Sequence, residues 1–455
     1  MNHATRITGL FAMGVGALAH AAAGDLDTSF SSDGLATVPF DLGGSRGDYA
    51  HASAVQPDGR IVVVGTASDA DGVHMDFAIT RLNANGTKDT GFGANGLVHL
   101  HTNSSTYDTA EAVAIQADGK IVVAGTADKY AAILRLNANG TQDTTFAVAA
   151  PNQIYAIGSG QTNGAMKFHA LALQADGKII AVGEGTNVKP TGYSDDFFVM
   201  RFQTNGVPDP TFYGPEGPGY AGTVWVPFDL TGANRDAAYA VALQSDGKIV
   251  LAGEAQYGGN DYDFAIARLN TNGSLDTGFS GDGKTTVPFD RGGVKRDGAT
   301  GVAITATGTI VVAGTVTSTP GYYNEIGVTR LLANGAIDAT FGLSGRIDTI
   351  YVQTGGTATN PVSNIASGMT LGGDGTLWIA GSQDPYGTTP YSTCGFAHLS
   401  ADGRTILGAG AVDFGNAASA NGITRDAQGK LLLVGPRQFN ETGDHDFAIA
   451  RLLGQ

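Results

Sequence analysis

The chain has 455 residues, 68 of them glycine, and only 15% are charged, so turns are abundant and helix formers scarce relative to ordinary globular proteins. A formal net charge of -16, with no Lys/Arg cluster to offset it locally, repels phosphate backbones and anionic lipid and argues against a nucleic-acid partner. A single cysteine, Cys394, permits no intrachain disulfide, so the fold has to rest on its core.

The first stretch, residues 1–23, places Arg6 before a mostly apolar run from Ile7 to Ala19 and then small residues at Ala19-His20-Ala21 and Ala21-Ala22-Ala23. This pattern reads as a secretory signal peptide, since the run is shorter than the ~20 residues a bilayer needs. The expected product is an exported protein, secreted, periplasmic or held at the cell surface, with no integral membrane segment. Residues 24–455 are expected to form one domain and to act as a monomer.

That domain is organised by seven close copies of one turn, headed by Gly59, Gly119, Gly177, Gly247, Gly308, Gly375 and Gly429, at spacings of 60, 58, 70, 61, 67 and 54 residues. A period of this size signals a repeat architecture. In the first copy, Ala50 to Gln56 leads through Pro57-Asp58-Gly59 into Ile61-Val62-Val63-Val64, and Asp-Gly between apolar runs marks a hairpin. A third run, Asp76 to Leu82, and a fourth, Leu97 to Leu100, follow with turns between them.

Seven four-stranded units predict an all-β fold, a seven-bladed β-propeller in which each blade buries its faces against two neighbours. The last repeat stops at its third strand, Phe447 to Leu452, while Asp27-Thr28-Ser29-Phe30 and Leu35 to Phe40 supply the missing pieces at the other end. The amino-terminal strand is therefore expected to complete the last blade.

The recurring Gln-x-Asp-Gly-Lys-Ile-Val-x-x-Gly unit, the unit from Asp263-Phe264 to Arg268-Leu269-Asn270-Thr271-Asn272-Gly273, and the Leu-Asp-Thr-x-Phe at Leu275 to Phe279 resemble the delta-60 repeat family. The resemblance covers nearly all of the mature chain. It implies a bacterial exported or surface protein with a propeller-like fold and carries no settled activity. The fifth copy departs by lacking Asp-Gly; the sixth has His398 in place of the arginine and no Asp-Thr-x-Phe.

Residues repeated in nearly every blade read as structural: Arg81, Arg135, Arg201, Arg268, Arg330 and Arg451, with Phe30, Phe92, Phe146, Phe212, Phe279 and Phe341. Trp225 and Trp378 lie within strands and read as core. Eight residues before each heading glycine the series instead varies: His51, Glu111, His169, Tyr239, Thr300, Ser367 and Asn421. On the inner strands these ring one mouth of the channel and form the first candidate ligand site. His51, Glu111 and His169 offer two imidazoles and a carboxylate, a set that can hold a divalent metal with open positions. Plain solvation of a hydrated channel is the competing reading.

Asp48, Asp108, Asp236 and Asp297 are expected to add negative charge near that mouth, with the Arg and Asp of the loops bracing one another. Arg46-Gly47-Asp48 and the Asp69-Ala70-Asp71-Gly72 stretch with Asp76 match an adhesion tripeptide and part of a calcium loop no better than chance allows. His99 and His101 share a strand face and are expected to be an exposed pair. A second candidate site is aromatic: Tyr193, Tyr257, Tyr262, Tyr322, Tyr323, Tyr386 and Tyr391, on the loops between second and third strands, could stack on sugar rings. The function expected is a binding module for an extracellular ligand, carbohydrate or surface partner. The alternatives are a metal-dependent hydrolase or oxidoreductase at the channel mouth and a structural surface component.

Overall fold

A computed structural model describes residues 22–42, 47–69, 74–101, 107–147, 155–157, 165–189, 192–214, 222–230, 235–289, 296–318, 323–350, 362–385, 393–438 and 444–454; residues 1–21 of the leader reading lie outside them. Among the described residues there are 28 strands, β1 to β28 in chain order, and no helix. They form seven four-stranded sheets, the seven blades expected from the repeat.

Blade 1 is β2 (Tyr49–Val55), β3 (Ile61–Ser68), β4 (Met75–Leu82) and β5 (Leu97–Leu100), each strand bonded to the next. Blades 2 to 6 repeat this order from inner strands β6 (Asp108–Ile115), β10 (Met166–Leu173), β14 (Asp236–Leu243), β18 (Gly298–Ile304) and β22 (Val362–Leu371). Blade 7 runs β26 (Gly422–Arg425), β27 (Leu431–Gln438), β28 (His445–Leu452) and then β1 (Leu35–Val38). β1 pairs antiparallel with β28, Leu35 opposite Ala450 and Val38 opposite Phe447, so the amino-terminal strand does close the ring. Each inner strand touches the next, and β26 touches β2.

Two backbone devices set the blade. The heading glycines all have positive φ, 80 to 87°, a conformation costly for residues with a Cβ. Asp58 Oδ1 accepts the Arg60 N–H of that turn at 3.0 Å, and the same bond recurs in blades 2 to 4. In the fifth blade, which lacks the Asp, Thr305 Oγ1 accepts the Thr309 N–H at 3.2 Å instead.

The second device is a β-bulge on the inner strand, between Ala50 and Ala52 in blade 1 and at the matching place in blades 2 to 6. A bulge leaves one residue unpaired and re-aims its side chain. Here the extra residue is His51, Glu111, His169, Tyr239, Thr300 or Ser367. The facing glycine, Gly65 in blade 1, is needed because a Cβ there would run into the Tyr49 carbonyl oxygen, and Gly125, Gly183, Gly253, Gly314, Gly381 and Gly435 face the same obstacle. Both ends of the repeated Gly-Lys-Ile-Val-x-x-Gly unit are thus fixed by backbone geometry.

The core is seven apolar clusters, each shared by two adjacent blades. Phe30, Phe40, Val63 and Ala78 meet Leu432, Val434, Phe447 and Ile449 between blades 7 and 1. Trp378, Phe396 and Phe414 meet Leu431, Leu433 and Ala448 between blades 6 and 7. Cys394 and Trp378 are buried, at 2% and 1% exposure, and burial pushes the Cys394 thiol up to about 12; it packs rather than reacts.

At the blade bases the repeated arginines form one clasp. Arg81 Nε donates to Asp89 Oδ2 at 2.8 Å, its guanidinium lies 4.5 Å from the Phe92 ring centroid, and Nη1 donates to Ala138 O of blade 2. Arg135, Arg201, Arg268, Arg330 and Arg451 repeat the arrangement with Asp143, Asp209, Asp276, Asp338 and Asp27. Each also donates to a carbonyl of the following blade, Arg451 reaching Ala84 of blade 1. The fifth blade, unusual in its turn, keeps this clasp intact; the sixth lacks it.

Candidate functional site

The bulge carries six of the seven variable residues, in blades 1 to 6, and three of the seven fasten one blade to the next. His51 Nδ1 donates to Ala110 O of blade 2 at 3.1 Å, Thr300 Oγ1 to Ala366 O of blade 6 at 3.0 Å, and Asn421 Nδ2 to Ala50 O of blade 1 at 2.9 Å. In each case the acceptor belongs to the residue just before the next blade's bulge. A polar residue is therefore placed there partly to satisfy a carbonyl that the bulge removes from its ladder.

His169 and Tyr239 depart from this pattern because of their neighbours. In the second strand the residue after the facing glycine is Thr66, Thr126, Thr315, Ser382 or Pro436 in five blades, but Glu184 in blade 3 and Glu254 in blade 4. His169 Nε2 lies 3.8 Å from Glu184 Oε1, and Tyr239 donates its hydroxyl to Glu254 Oε1 at 3.1 Å. The two rings stand 5.1 Å apart.

Each glutamate is also met by an arginine from the next blade. Arg235 Nη2 is 3.5 Å from Glu184 Oε2. Arg296 Nη2 donates to Glu254 Oε1 at 3.0 Å, with its guanidinium 5.0 Å from the Tyr262 ring centroid. Lys167 Nζ lies 3.8 Å from Glu184 Oε1. Burial alone would raise the Glu184 carboxyl, but His169, Arg235 and Lys167 outweigh it and lower it to about 2. The Tyr239 phenol moves upward through burial and the charges of Glu254 and Glu184, so it stays a hydrogen-bond donor at neutral pH.

Two atoms of this set, His169 Nε2 and Glu184 Oε2, are buried without a hydrogen-bond partner, although each has an ion-pair neighbour. Buried polar atoms left in this state are costly and mark the rim over blades 3 to 5 as the candidate site. Sequence reasoning named His169 and Tyr239 as ring residues and took Arg235 and Arg296 for loop braces, but it passed over Glu184 and Glu254. The signal was present: the residue after the second-strand glycine, Thr, Ser or Pro elsewhere, is Glu in just two repeats, each followed by an Arg-Asp pair.

The metal set is only partly brought together. His51 Nδ1 lies 3.4 Å from Glu111 Oε2, whereas His169 turns to Glu184. Among the described residues no group of three or more His, Cys, Asp or Glu side chains could hold a metal ion. Ser367 occupies its bulge on β22.

The expected band of negative charge is corrected. Asp48, Asp108, Asp236 and Asp297 are 4%, 1%, 2% and 1% exposed, and three of them accept the backbone N–H of the Phe eight residues earlier, Phe40, Phe228 and Phe289. Their role is to pin the loop, while the loop arginines Arg235 and Arg296 reach the preceding blade's glutamate instead of bracing that Asp. Arg46 lies outside the described residues.

The second aromatic group is described in part. Tyr257 is 51% exposed and Tyr262 is buried at 8%. Tyr193 and Tyr323 lie in the third strands of blades 3 and 5, and Tyr322, Tyr386 and Tyr391 lie outside the described residues. Nor are His99 and His101 a free exposed pair: His99 Nε2 is 2.7 Å and His101 Nδ1 2.9 Å from the two oxygens of the buried Asp76.

Five segments, residues 56–92, 116–146, 174–212, 244–279 and 305–341, match the family described as "Domain of unknown function (DUF5122) beta-propeller". Each match ends on the clasp phenylalanine of its blade. The chain thus carries β-propeller repeats similar to that family, in agreement with its seven-bladed fold.

Among solved structures, a protein of unknown function from Dyadobacter fermentans DSM 18053 is similar at 14% identity and TM-score 0.45, over 93% of this chain and 100% of that one. A protein from Lactobacillus plantarum is similar at 12% and 0.42, over 85% and 94%. YCF48 bound to D1 peptide is similar at 9% and 0.43, over 95% and 98%. No curated protein matches the chain. No helix among the described residues is long and apolar enough to cross a membrane.

Proposed function

We propose that this is a binding module of the extracytoplasmic space, built of delta-60-type repeats, that takes a glycan at the channel mouth over blades 3 to 5. The leader-like residues 1–23 support export. One observation carries the choice of site: in blades 3 and 4 the bulge residues His169 and Tyr239 meet glutamates set at 13% and 4% side-chain exposure. Charged groups at such a depth are expensive in a purely structural rim. Aromatic rings beside hydrogen-bonding groups suit a sugar, whose faces are apolar and whose edges are polar.

The test is titration of the purified protein with a glycan panel by calorimetry, comparing wild type with His169→Ala and Tyr239→Phe. Binding that weakens roughly tenfold in these variants, measured well below their melting temperatures, is expected from loss of the imidazole and of the hydroxyl that orients Glu254. Binding that both variants retain would move the site elsewhere. A divalent metal on His51, Glu111 and His169 is the competing, enzymatic reading. Stoichiometric metal in protein purified without chelators, lost in His51→Ala, would favour it over the module.

A further inference from the structure

Resting on that reading of the rim, we infer that the glycan it takes is acidic, bearing carboxylates of the uronic-acid kind. The charges are layered. The carboxylates of Glu184 and Glu254 are sunk at 13% and 4% exposure, while the side chains of Lys167, Arg235 and Arg296 are 47%, 44% and 53% exposed. Cationic ends therefore face the solvent with their counter-charges beneath them. Three cations, Lys167, Arg235 and Arg296, thus stand outside the two sunken carboxylates, Glu184 and Glu254, on a chain of net charge -16.

The hydrogen-bonding capacity left over has the same sign. Glu254 Oε1 is taken by Tyr239 and Arg296, and the Tyr239 proton is committed to it. Apart from the buried Glu184 Oε2, which faces Arg235, the remaining capacity is N–H: the outer edges of two guanidinium groups, the Lys167 ammonium, and a ring nitrogen of His169. Planar guanidinium forks suit carboxylates, which they bind with two parallel hydrogen bonds. A glycan is favoured over an acidic peptide by the aromatic surface beside these cations. Arg296 lies over the Tyr262 ring, and the neighbouring Tyr257 is half exposed, a platform for a sugar face.

The experiment compares a uronic-acid oligosaccharide with the same chain after its carboxyls are reduced to alcohols, by calorimetry on the full-length protein. The expected result is binding of the acidic chain, loss of most affinity on reduction, and weakening as salt rises from about 0.05 to about 0.5 M. Arg235→Gln with Arg296→Gln should weaken it roughly tenfold or more, as loss of charged hydrogen bonds does. Arg60→Gln, which removes a comparably exposed cation (43%) from the blade-1 turn outside this rim, should leave binding intact. Should the double arginine variant fail to fold, Lys167→Ala on the exposed side should still weaken the acidic chain selectively.

Equal binding of the acidic and reduced chains would overturn the inference while the glycan-binding rim stands. An equal loss in Arg60→Gln would do the same, since the effect would then follow overall charge and not this rim. If neither chain binds, the inference and the glycan reading fall together. An acidic peptide of matched charge that binds more tightly than the uronate would overturn the choice of glycan.

Discussion

Blade 6 and the other six blades solve the same packing problem in different ways, and the contrast separates what the repeat requires from what it merely prefers. Six blades place an arginine at the end of the third strand, between a carboxylate, a phenylalanine ring and a carbonyl of the next blade. Blade 6 has His398 there, buried at 2% and stacked on Trp378 with ring centroids 3.8 Å apart and planes 10° from parallel. Burial lowers its pKa, so it is neutral, and its Nε2 has no partner. Between blades 6 and 7 the apolar cluster of Trp378, Phe396 and Phe414 replaces a polar clasp. The clasp is thus one way of locking neighbouring blades, not a condition of the fold.

The sharpest way to break this comparison is at the point of closure. Arg451 joins Asp27, Phe30 and the Ala84 carbonyl, so a single side chain holds the amino-terminal segment, blade 7 and blade 1 together. Arg451→Ala leaves the buried Asp27 with Lys430 as its one cation, beside the Ser29 hydrogen bonds, and should cost about 3–5 kcal/mol, as removing one member of a buried pair does. His398→Ala removes a neutral stacked ring and should cost about 1–3 kcal/mol through lost packing. Denaturant unfolding of both variants checks the order; equal losses would mean that the clasp charges contribute nothing beyond packing.

Acid titration sharpens the same contrast, because two sets of aspartates respond in opposite directions. Burial raises the clasp carboxyls, but hydrogen bonds and cations outweigh it: Thr211, Arg201 and Lys178 lower Asp209 to about 2, and Asp27 and Asp143 are held lower still. A carboxyl depressed in the folded state contributes stability above its unfolded pKa, near 3.8, that is lost as pH falls toward its folded pKa. The loop-pinning aspartates run the other way. Burial and neighbouring acids raise Asp48 to about 7 and Asp236 to about 6. Their contribution is complete below 3.8 and declines as pH rises to 6 or 7. Melting temperature should therefore peak between these windows, near pH 5 (~4–6), and Asp48→Asn should flatten the decline on the neutral side. A melting temperature still rising from pH 5 to 7 would contradict the loop assignment.

Much of the architecture was legible in the sequence because a repeat is its own comparison. The Asp-Gly turn, the second-strand glycine and the recurring Arg and Phe mark positions where backbone strain or a shared clasp permits few substitutes. The closure by residues 35–38 was legible for the same reason, since a missing strand at one end matched a surplus at the other. The rim was harder. His51, Thr300 and Asn421 share one place in the repeat, but composition could not say that their side chains serve carbonyls across the blade seam. Glu184 and Glu254 were overlooked because they sit on second strands, one strand removed from the ring residues they meet. His99 and His101 were misjudged because their partner, Asp76, lies on the adjacent third strand, where only strand register brings it within reach.

The smallest expected effect probes the fasteners themselves. Asn421 and Thr300 span blade seams with hydrogen bonds of similar length, but Asn421 crosses the closure between blades 7 and 1, the one seam made by residues far apart in the chain. Loop-closure entropy weighs on such a contact, and Thr424 adds a second bond there, to the Ser53 carbonyl. Asn421→Ala should cost about 1 kcal/mol, the usual net value of one hydrogen bond, with a further penalty from the carbonyl of Ala50 left unpaired. Thr300→Val keeps the shape at an internal seam and should cost the same or less. Hydrogen exchange distinguishes the two where global stability does not: Asn421→Ala should speed exchange in β26 and β2 without touching β18. Equal acceleration around the whole ring would mean that the seven seams open together and that closure is no weaker than the rest.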